Sequence, residues 1–462
     1  MAILAAWTAL ESFAGRGLTK MQQPDRFAPL AKRLEFGRKR RKGVPRLGHG
    51  QWKPARDRAD TIDLLRAANK GRVASLLPIK YSRMADSPFG FFRGAAALMA
   101  GDLAAQPHTG ILVQLCGDAH VLNVGAFAAP DGRLMFDIND FDEAIRGPWE
   151  WDLKRLATSF VLAGREAGAR DSFCGEAVDI LVRTYQQAIA EFAPMPALEL
   201  FRHPIGRLPG SISAILRQAE HEKPLKSLER LTQKDRSGRR SFKNRPPLLT
   251  PVAGATAKKV IAALDPYRNT VSDDRQILID AYRPKCVGFK VVGTGSIGTR
   301  DYVVLLEGQG PKDPLFLQVK QELVSCWAPH TKNNGRRINQ GRRVAQAQHR
   351  TQTLSDPCLG WTAIDGDDYL VRQLADHKAG IDPAQLKGSA LLEYAEVCGQ
   401  LFARAHARTS DPAVIAGYCG VSDRLSKGLR RFAFAYAKQT AADHEALQRA
   451  IRNKKVTAVR AS

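Results

Sequence analysis

The stretch Val287-Gly288-Phe289-Lys290-Val291-Val292-Gly293-Thr294-Gly295-Ser296-Ile297-Gly298 decides the fold through the kind of element that comes after it. Residues 287–292 are apolar and partly β-branched, the pattern of a strand, and they lead into glycines at 293, 295 and 298. Such a glycine pattern alone is weak evidence, and in a dinucleotide-binding fold a helix would come next. Here a second strand pattern, Tyr302 to Glu307, comes next instead, and after a polar turn a third, Leu315 to Lys320. The succession predicts a small antiparallel sheet with a glycine-rich hairpin. Glycines let backbone N–H groups close over phosphate oxygens, so Gly293, Gly295, Ser296 and Gly298 are candidate nucleotide-binding positions. Lys320, ending the third strand, is the candidate side-chain contact to the same phosphates.

Nearer the N terminus, a short apolar strand pattern at 111–115 runs into Gly117-Asp118-Ala119-His120-Val121-Leu122-Asn123. Phe136-Asp137-Ile138-Asn139-Asp140-Phe141-Asp142-Glu143 comes next, and then Gly147-Pro148 and Trp151-Asp152-Leu153. The carboxylates at 137, 140, 142 and 143 would repel one another if packed together, so they predict a place for a hard divalent cation. An Asp on a loop after a strand, with an Asn five residues later, has the spacing of a kinase catalytic loop. In that loop the Asp accepts the hydroxyl proton and the Asn binds magnesium. Asp118 is therefore the candidate base, and Asn123 and Asp140 are the candidate magnesium ligands, with Asp137 as the alternative ligand. His120 is expected to orient the loop rather than to carry protons. Cys116 has no activating base in sequence and reads as a buried thiol.

Together these elements predict an α+β chain with a protein-kinase-like two-lobe fold that uses ATP and magnesium. The order is inverted, since the glycine turn and the lysine come after the catalytic loop. Circular permutation explains that order and is tolerable where the original termini lie close together at the surface. Tyr369 to Leu374 is then the inner strand running into a hinge, and Leu391 to His406 the helix leading into the catalytic loop. The helical pattern Phe91 to Ala105 competes for that last role.

On Tyr81–Met84, Phe92–Ala96, Gly117–Asn123, Ile138–Glu143, Pro148–Arg155 and Gly293–Arg300, the chain resembles the bacterial family named domain of unknown function 2252. The resemblance runs from about residue 40 to 410. The motifs are also similar to those of aminoglycoside and choline phosphotransferases, members of the kinase-like superfamily. That likeness implies that Gly117-Asp118 and His120–Asn123 form the catalytic loop, and Asp140-Phe141 the metal-binding pair. It also implies that Asp152 is the Asp of the next, buried helix. Two departures stand out. The gap from Asn123 to Asp140 is longer than usual, and Asp137 fits that gap better. No glutamate occurs between Leu323 and Asp356, where a kinase places the helix partner of its lysine, and Gln346 sits about there.

At 462 residues the chain is long enough for two or three domains. Breakers and composition suggest a basic arm over 1–50, ending in Arg38-Lys39-Arg40-Arg41-Lys42, and a catalytic region over 51–245. The glycine-turn sheet would occupy 246–375 and a helical region 376–462, with the basic stretch Lys234 to Pro247 as the dividing linker. Lys plus Arg is 70 against 46 Asp plus Glu, and the resulting +24 suits a polyanionic partner, contacted non-specifically through the basic segments. A hydrophobic share of 44% places the chain among globular proteins, and its longest apolar runs fall far short of the ~18 residues that span a bilayer. The first residues lack the basic start of a secretory signal. Seven scattered cysteines without a CxxC pair argue against a disulfide framework or a zinc ribbon and favour the reducing cytoplasm. No serine-hydrolase elbow is present. The resulting expectation is a phosphotransferase acting on an unidentified hydroxyl of a small molecule or protein. Nucleotidyl transfer leaving AMP on the acceptor is one alternative. A pseudokinase, or a basic nucleic-acid-binding protein without turnover, is the other.

Overall fold

Breaker residues partition the first part of the chain into short helices. The computed structural model describes residues 24–204, 209–221, 224–291, 293–331, 338–374 and 379–459. In it α1 spans Leu30–Arg40, α2 Thr61–Ala68, α3 Leu77–Ala85, α4 Pro88–Gly94 and α5 Ala96–Ala104. Asp60 caps α2 by accepting from Ile62 N and Asp63 N. Ser87 caps α4 by accepting from Gly90 N, with Pro88 in the first turn where its missing N–H costs nothing. Four strands come next: β1 (Leu112–Leu115), β2 (Val124–Ala128), β3 (Leu134–Ile138) and β4 (Ile145–Pro148). β1 pairs with β4 and β2 with β3, both antiparallel. The apolar stripe of α6 (Trp149–Glu166) is fully buried at Leu153, Leu156, Phe160 and Val161, and α7 (Asp171–Phe192) packs beside it.

The second half opens into a six-stranded antiparallel sheet. Its strands are β5 (Leu249–Val252), β6 (Arg283–Lys290), β7 (Asp301–Glu307), β8 (Pro314–Gln321), β9 (Gly360–Ile364) and β10 (Asp367–Gln373). The spatial order is β9-β10-β8-β7-β6-β5. Both faces are covered, which is why β7 is apolar at consecutive positions instead of alternating. Tyr302, Val304 and Leu306 join a core with the short helices of residues 254–280, whereas Val303 and Leu305 meet Phe242, Leu228 and Leu231. Between β8 and β9 the chain forms α8 (Gln340–Thr351), which packs against β9 and β10. The architecture is α+β.

The last helices return to the first half. α9 (Ser389–Thr409) lies along α7, α10 (Pro412–Cys419) along α1, and α11 (Arg424–Arg452) across α6 and α7. A Cβ on Gly399 would stand 2.6 Å from Leu181 O, so glycine is what allows α9 to approach α7 this closely. One continuous core therefore takes residues from both ends, Phe36 to Ala219 and Trp327 to Ala437. The expected boundary at 376 is not a packing boundary, because the C-terminal helices complete the core begun by α5–α7. Among the described residues no helix is long and apolar enough to cross a membrane.

Two further expectations are corrected. Residues 1–23 lie outside the described residues, but 24–50 are not a free arm. α1 packs so closely on α10 that a Cβ on Gly37 would lie 2.0 Å from Val414 O, and one on Gly417 2.0 Å from Leu34 O. Arg41 donates to Tyr418 O and Gly417 O at 2.8 and 2.6 Å, and Arg46 donates to Cys419 O at 2.7 Å. These are the carbonyls a helix leaves unpaired at its C terminus, and guanidinium groups suit them. Arg41 of the basic run, and Arg46 after it, thus serve as internal caps. Nor is Lys234 to Pro247 a free linker. It contributes to a hairpin of Thr232–Lys234 with Arg240–Phe242, anchored by the fully buried Phe242 against Phe316.

Candidate active site

The end of β1 is held by a carboxylate from α6. Asp152 accepts from Cys116 N at 2.9 Å and Gly117 N at 3.1 Å, and Trp327 Nε1 donates to Gly117 O at 2.7 Å. Gly117 has φ +82°, and a Cβ there would be 2.0 Å from Glu143 O, so the turn into Asp118 demands glycine. Asp118 is then clamped on one side: Arg155 Nε donates to its Oδ1 at 2.7 Å. Its Oδ2 is 3.8 Å from His120 Nε2. His120 accepts from Leu122 N through Nδ1, and burial, with Arg93 and Arg155 next, holds its pKa well below the usual value. His120 is thus held at Nδ1, with Nε2 turned towards Asp118 beyond hydrogen-bond distance. Asn123 Nδ2 donates to Asp118 O at 2.9 Å, which leaves its amide oxygen available to a ligand. Cys116 is buried, and burial pushes its thiol pKa up, so it is no nucleophile.

Asp118, His120, Asn123 and Asp140 line one cavity of about 780 Å³, together with Asp142 and the glycine turn. The link to the sheet is an ion pair between Lys320 and Asp142, supported by Ser296 Oγ donating to Asp142 Oδ2 at 3.1 Å. Burial raises Asp140, and the charge of Asp142 raises it further. Asp142 is held low despite its own burial, because Lys320 lies against it. Asp142 Oδ1 is buried and has no hydrogen-bond partner. Two adjacent carboxylates, one oxygen of them orphaned, and a spare amide oxygen form a hard-oxygen donor set. Among the described residues no group of three or more His, Cys, Asp or Glu is gathered as a full metal cage. Magnesium does not need one, since it keeps several waters and takes one or two protein carboxylates beside phosphate oxygens. The donors present fit it.

The expected sites do not all converge. Asp137 faces away from the cavity and makes a buried ion pair with Arg404 of α9, so it is not a ligand there. Lys320 pairs with Asp142, and the structure records no hydrogen bond from Gln346 to it. From α8 it is Arg343 that reaches the acidic loop, donating to the carbonyls of Asp142 and Ala144 at 2.8 and 2.6 Å. The helix under the Gly117–Asn123 loop is α9: Tyr394 donates to Val121 O at 2.6 Å and His406 Nε2 is 3.5 Å from Asp152 Oδ2. Phe91 to Ala105 instead forms α4 and α5, which wall the cavity.

The turn 293–298 closes over this cavity, and its glycines differ in function. Gly298 has φ +96°, and a Cβ there would be 2.9 Å from Arg72 Cβ. Gly298→Ala is expected to cost about 1–3 kcal/mol of unfolding free energy. Gly295 has no positive φ, and the nearest atom to a Cβ is Arg93 O at 3.3 Å, then Asp118 Oδ2 at 3.8 Å. Gly295→Ala should change stability by no more than about 0.5 kcal/mol while placing a methyl group in the cavity. Urea unfolding of both variants checks this, and a larger loss for Gly295→Ala would contradict it.

A family model described as "Uncharacterized protein conserved in bacteria (DUF2252)" matches residues 72–450. The chain belongs to that family. No curated protein and no solved structure matches it. The DUF2252 match takes in Asp118, Asp140, Asp142, the glycine turn, Lys320 and Arg72, which backs that turn, while Leu64 to Lys70 on the cavity rim precede it. It begins well after α1, so the packed segment 24–50 lies outside it. Several site residues escaped the sequence reading: Asp142 as the lysine's partner, Arg155 as the clamp on Asp118, Arg343, the buried Glu322, and the wall formed by Arg72, Lys80 and Arg93. Lys80 and Arg93 adjoin or fall in segments whose likeness to DUF2252 was legible, Tyr81–Met84 and Phe92–Ala96. Nothing in those segments reveals that they face the same cavity.

Proposed function

We propose that this protein is an ATP- and magnesium-dependent phosphotransferase acting on a hydroxyl acceptor, with a permuted kinase-like arrangement of lobes. The observation that carries the reading is the meeting of Asp118 and Asn123 with Ser296 across one cavity, to whose Asp142 Lys320 is paired from behind the lining. Counted from the glycine turn, Lys320 ends the third strand of the hairpin succession, and the next helix packs on the sheet. Protein kinases put their phosphate-binding lysine and its neighbouring helix in the same places.

In this reading Asp118 takes the acceptor's hydroxyl proton on Oδ2 while Arg155 keeps Oδ1 fixed. Asn123, Asp140 and Asp142 would hold magnesium, which would supply charge neutralisation to the phosphate oxygens. Lys320 leaves Asp142 for the nucleotide, and the backbone at Gly293, Gly295 and Gly298 closes over the phosphates. Little covalent chemistry is asked of the protein, so positioning and electrostatics carry most of the effect.

Thermal unfolding with ATP, with and without magnesium, tests this. A ligand at about 100 times its dissociation constant adds about 2.7 kcal/mol to the native state. The wild type is expected to gain stability only when both ATP and magnesium are present, and Asp140→Ala and Lys320→Met to gain little. No gain at millimolar ATP with magnesium removes the proposal.

A further inference from the structure

Arg72, Lys80 and Arg93 line the cavity together and have few hydrogen-bond partners of their own. Lys80 on α3 is 2% exposed and lines the cavity. Of its three donor hydrogens one has a recorded acceptor, Asn69 Oδ1 at 2.8 Å. Asn69 Nδ2 in turn donates to Tyr81 OH at 2.9 Å, which fixes the amide so that its oxygen faces the ammonium. No described carboxylate is paired with Lys80. Burial, and next the charge of Arg72, push its pKa well below the usual lysine range. Arg93 on α4 and Arg72 before α3 also line the cavity, and each has a buried Nε with no hydrogen-bond partner. Arg72 is held on the glycine turn by donating to Ile297 O at 2.9 Å.

Lys80 is buried and Arg72 and Arg93 are half-buried. Glu143, Asp142, Asp118 and Asp140 act on them through space, but no hydrogen bond from any of the three to a described carboxylate is recorded. Unused cationic donors gathered on one wall suit a bound anion. Their position indicates which one. A single point, the Cβ position of Gly295, lies 3.3 Å from Arg93 O and 3.8 Å from Asp118 Oδ2. Both residues line the cavity beside Gly295, and Asp118 is the carboxylate whose charge acts most on Arg93, which sets Arg93 near the base, whereas Lys320 lies beside Asp142. We infer that the acceptor carries an anionic group, phosphate or carboxylate, which Arg93 and Lys80 bind while its hydroxyl faces Asp118. This rests on the phosphotransferase reading and narrows it to anionic hydroxyl compounds.

The test uses the full chain and two probes, inorganic phosphate and succinate, titrated calorimetrically with and without magnesium-ADP. One or both probes should bind the wild type, and should bind alongside magnesium-ADP. Arg93→Gln and Lys80→Met should each weaken that binding by about tenfold or more, the effect of losing one charged hydrogen bond. Lys320→Met, measured without nucleotide, should leave it unchanged. Tighter phosphate indicates a phosphorylated acceptor, and tighter succinate a carboxylate. Arg93→Lys keeps the charge and should retain most of the affinity. The ligand-free melting temperature of Lys80→Met and Arg93→Gln is read alongside, and a variant that melts with the wild type shows that its loss of binding is not loss of fold. Competition between the probes and magnesium-ADP, or loss of binding only in Lys320→Met, overturns the inference, as does the absence of binding at millimolar probe. If magnesium-ADP fails to bind while anion binding still depends on Arg93 and Lys80, the anion site stands and the phosphotransferase reading falls.

Discussion

Asp118→Asn is expected to lower ATP-consuming turnover by about 10² or more while magnesium-nucleotide binding stays within a few-fold of wild type. The substitution keeps the side chain's shape and an oxygen for Arg155 Nε, but removes the only function the proposal gives the residue, accepting a proton on Oδ2. Asp118 does not touch Lys320 or the Ser296 hydroxyl, which both engage Asp142. Nucleotide affinity should therefore be insensitive to the change, unlike that of Asp140→Ala. Arg155 retains its bond to Phe92 O at 2.9 Å and its stacking over the Phe92 ring, so the fold has a second hold on the guanidinium. Steady-state turnover and nucleotide titration on the same preparation separate the cases. Wild-type turnover in the variant sinks the base assignment, and loss of both turnover and binding makes Asp118 a structural group.

The second large effect is on stability and lies outside the cavity. Asp137 and Arg404 are both almost fully buried, at 2% exposure each. Asp137→Leu leaves a guanidinium that cannot deprotonate, whose Nε and Nη1 already lack partners. The expected loss is about 3–5 kcal/mol. Arg404→Leu should cost less, because the stranded carboxyl can take a proton. Burial already raises the pKa of Asp137, and Arg404 opposes that rise, so removing Arg404 lifts it further. The native state then binds a proton the unfolded chain has released, and the stability of Arg404→Leu should fall as pH rises from about 4 through the raised value. Replacing both residues by leucine should recover most of the loss. Urea unfolding of the three variants at two pH values decides it, and equal, pH-independent losses for the two single variants would refute the asymmetry.

Local pattern carried much of the fold. The strands read at 302–307 and 315–320 are present within a residue, and the helix read at 391–406 within three, because each shows a strong run or a helical stripe. What misled was charge. Arg38–Lys42 has the composition of a solvated arm, yet Arg41 is used on carbonyls that only exist once α10 has ended at Cys419. The same blindness affected the ligands. Asp137 and Asp140 lie in one acidic run, and spacing alone cannot tell which faces the cavity. β3 turns Asp137 inward to Arg404, while Asp140 emerges after the strand ends at Ile138.

The sequence by itself determined which residues could bind phosphate, metal and proton, since glycine turns, carboxylates and amides carry that chemistry wherever they stand. It determined the antiparallel sheet as well, since the succession of strands and turns is local. Only the tertiary structure decided which of those residues share a cavity. Lys320 reaches Asp142 across a sequence separation of 178, Arg404 takes Asp137 out of contention, and Arg72, Lys80 and Arg93 form a wall that no spacing announces. The physical reason is that a buried charge is positioned by its partner, and partners brought together by packing leave no periodic mark on the chain.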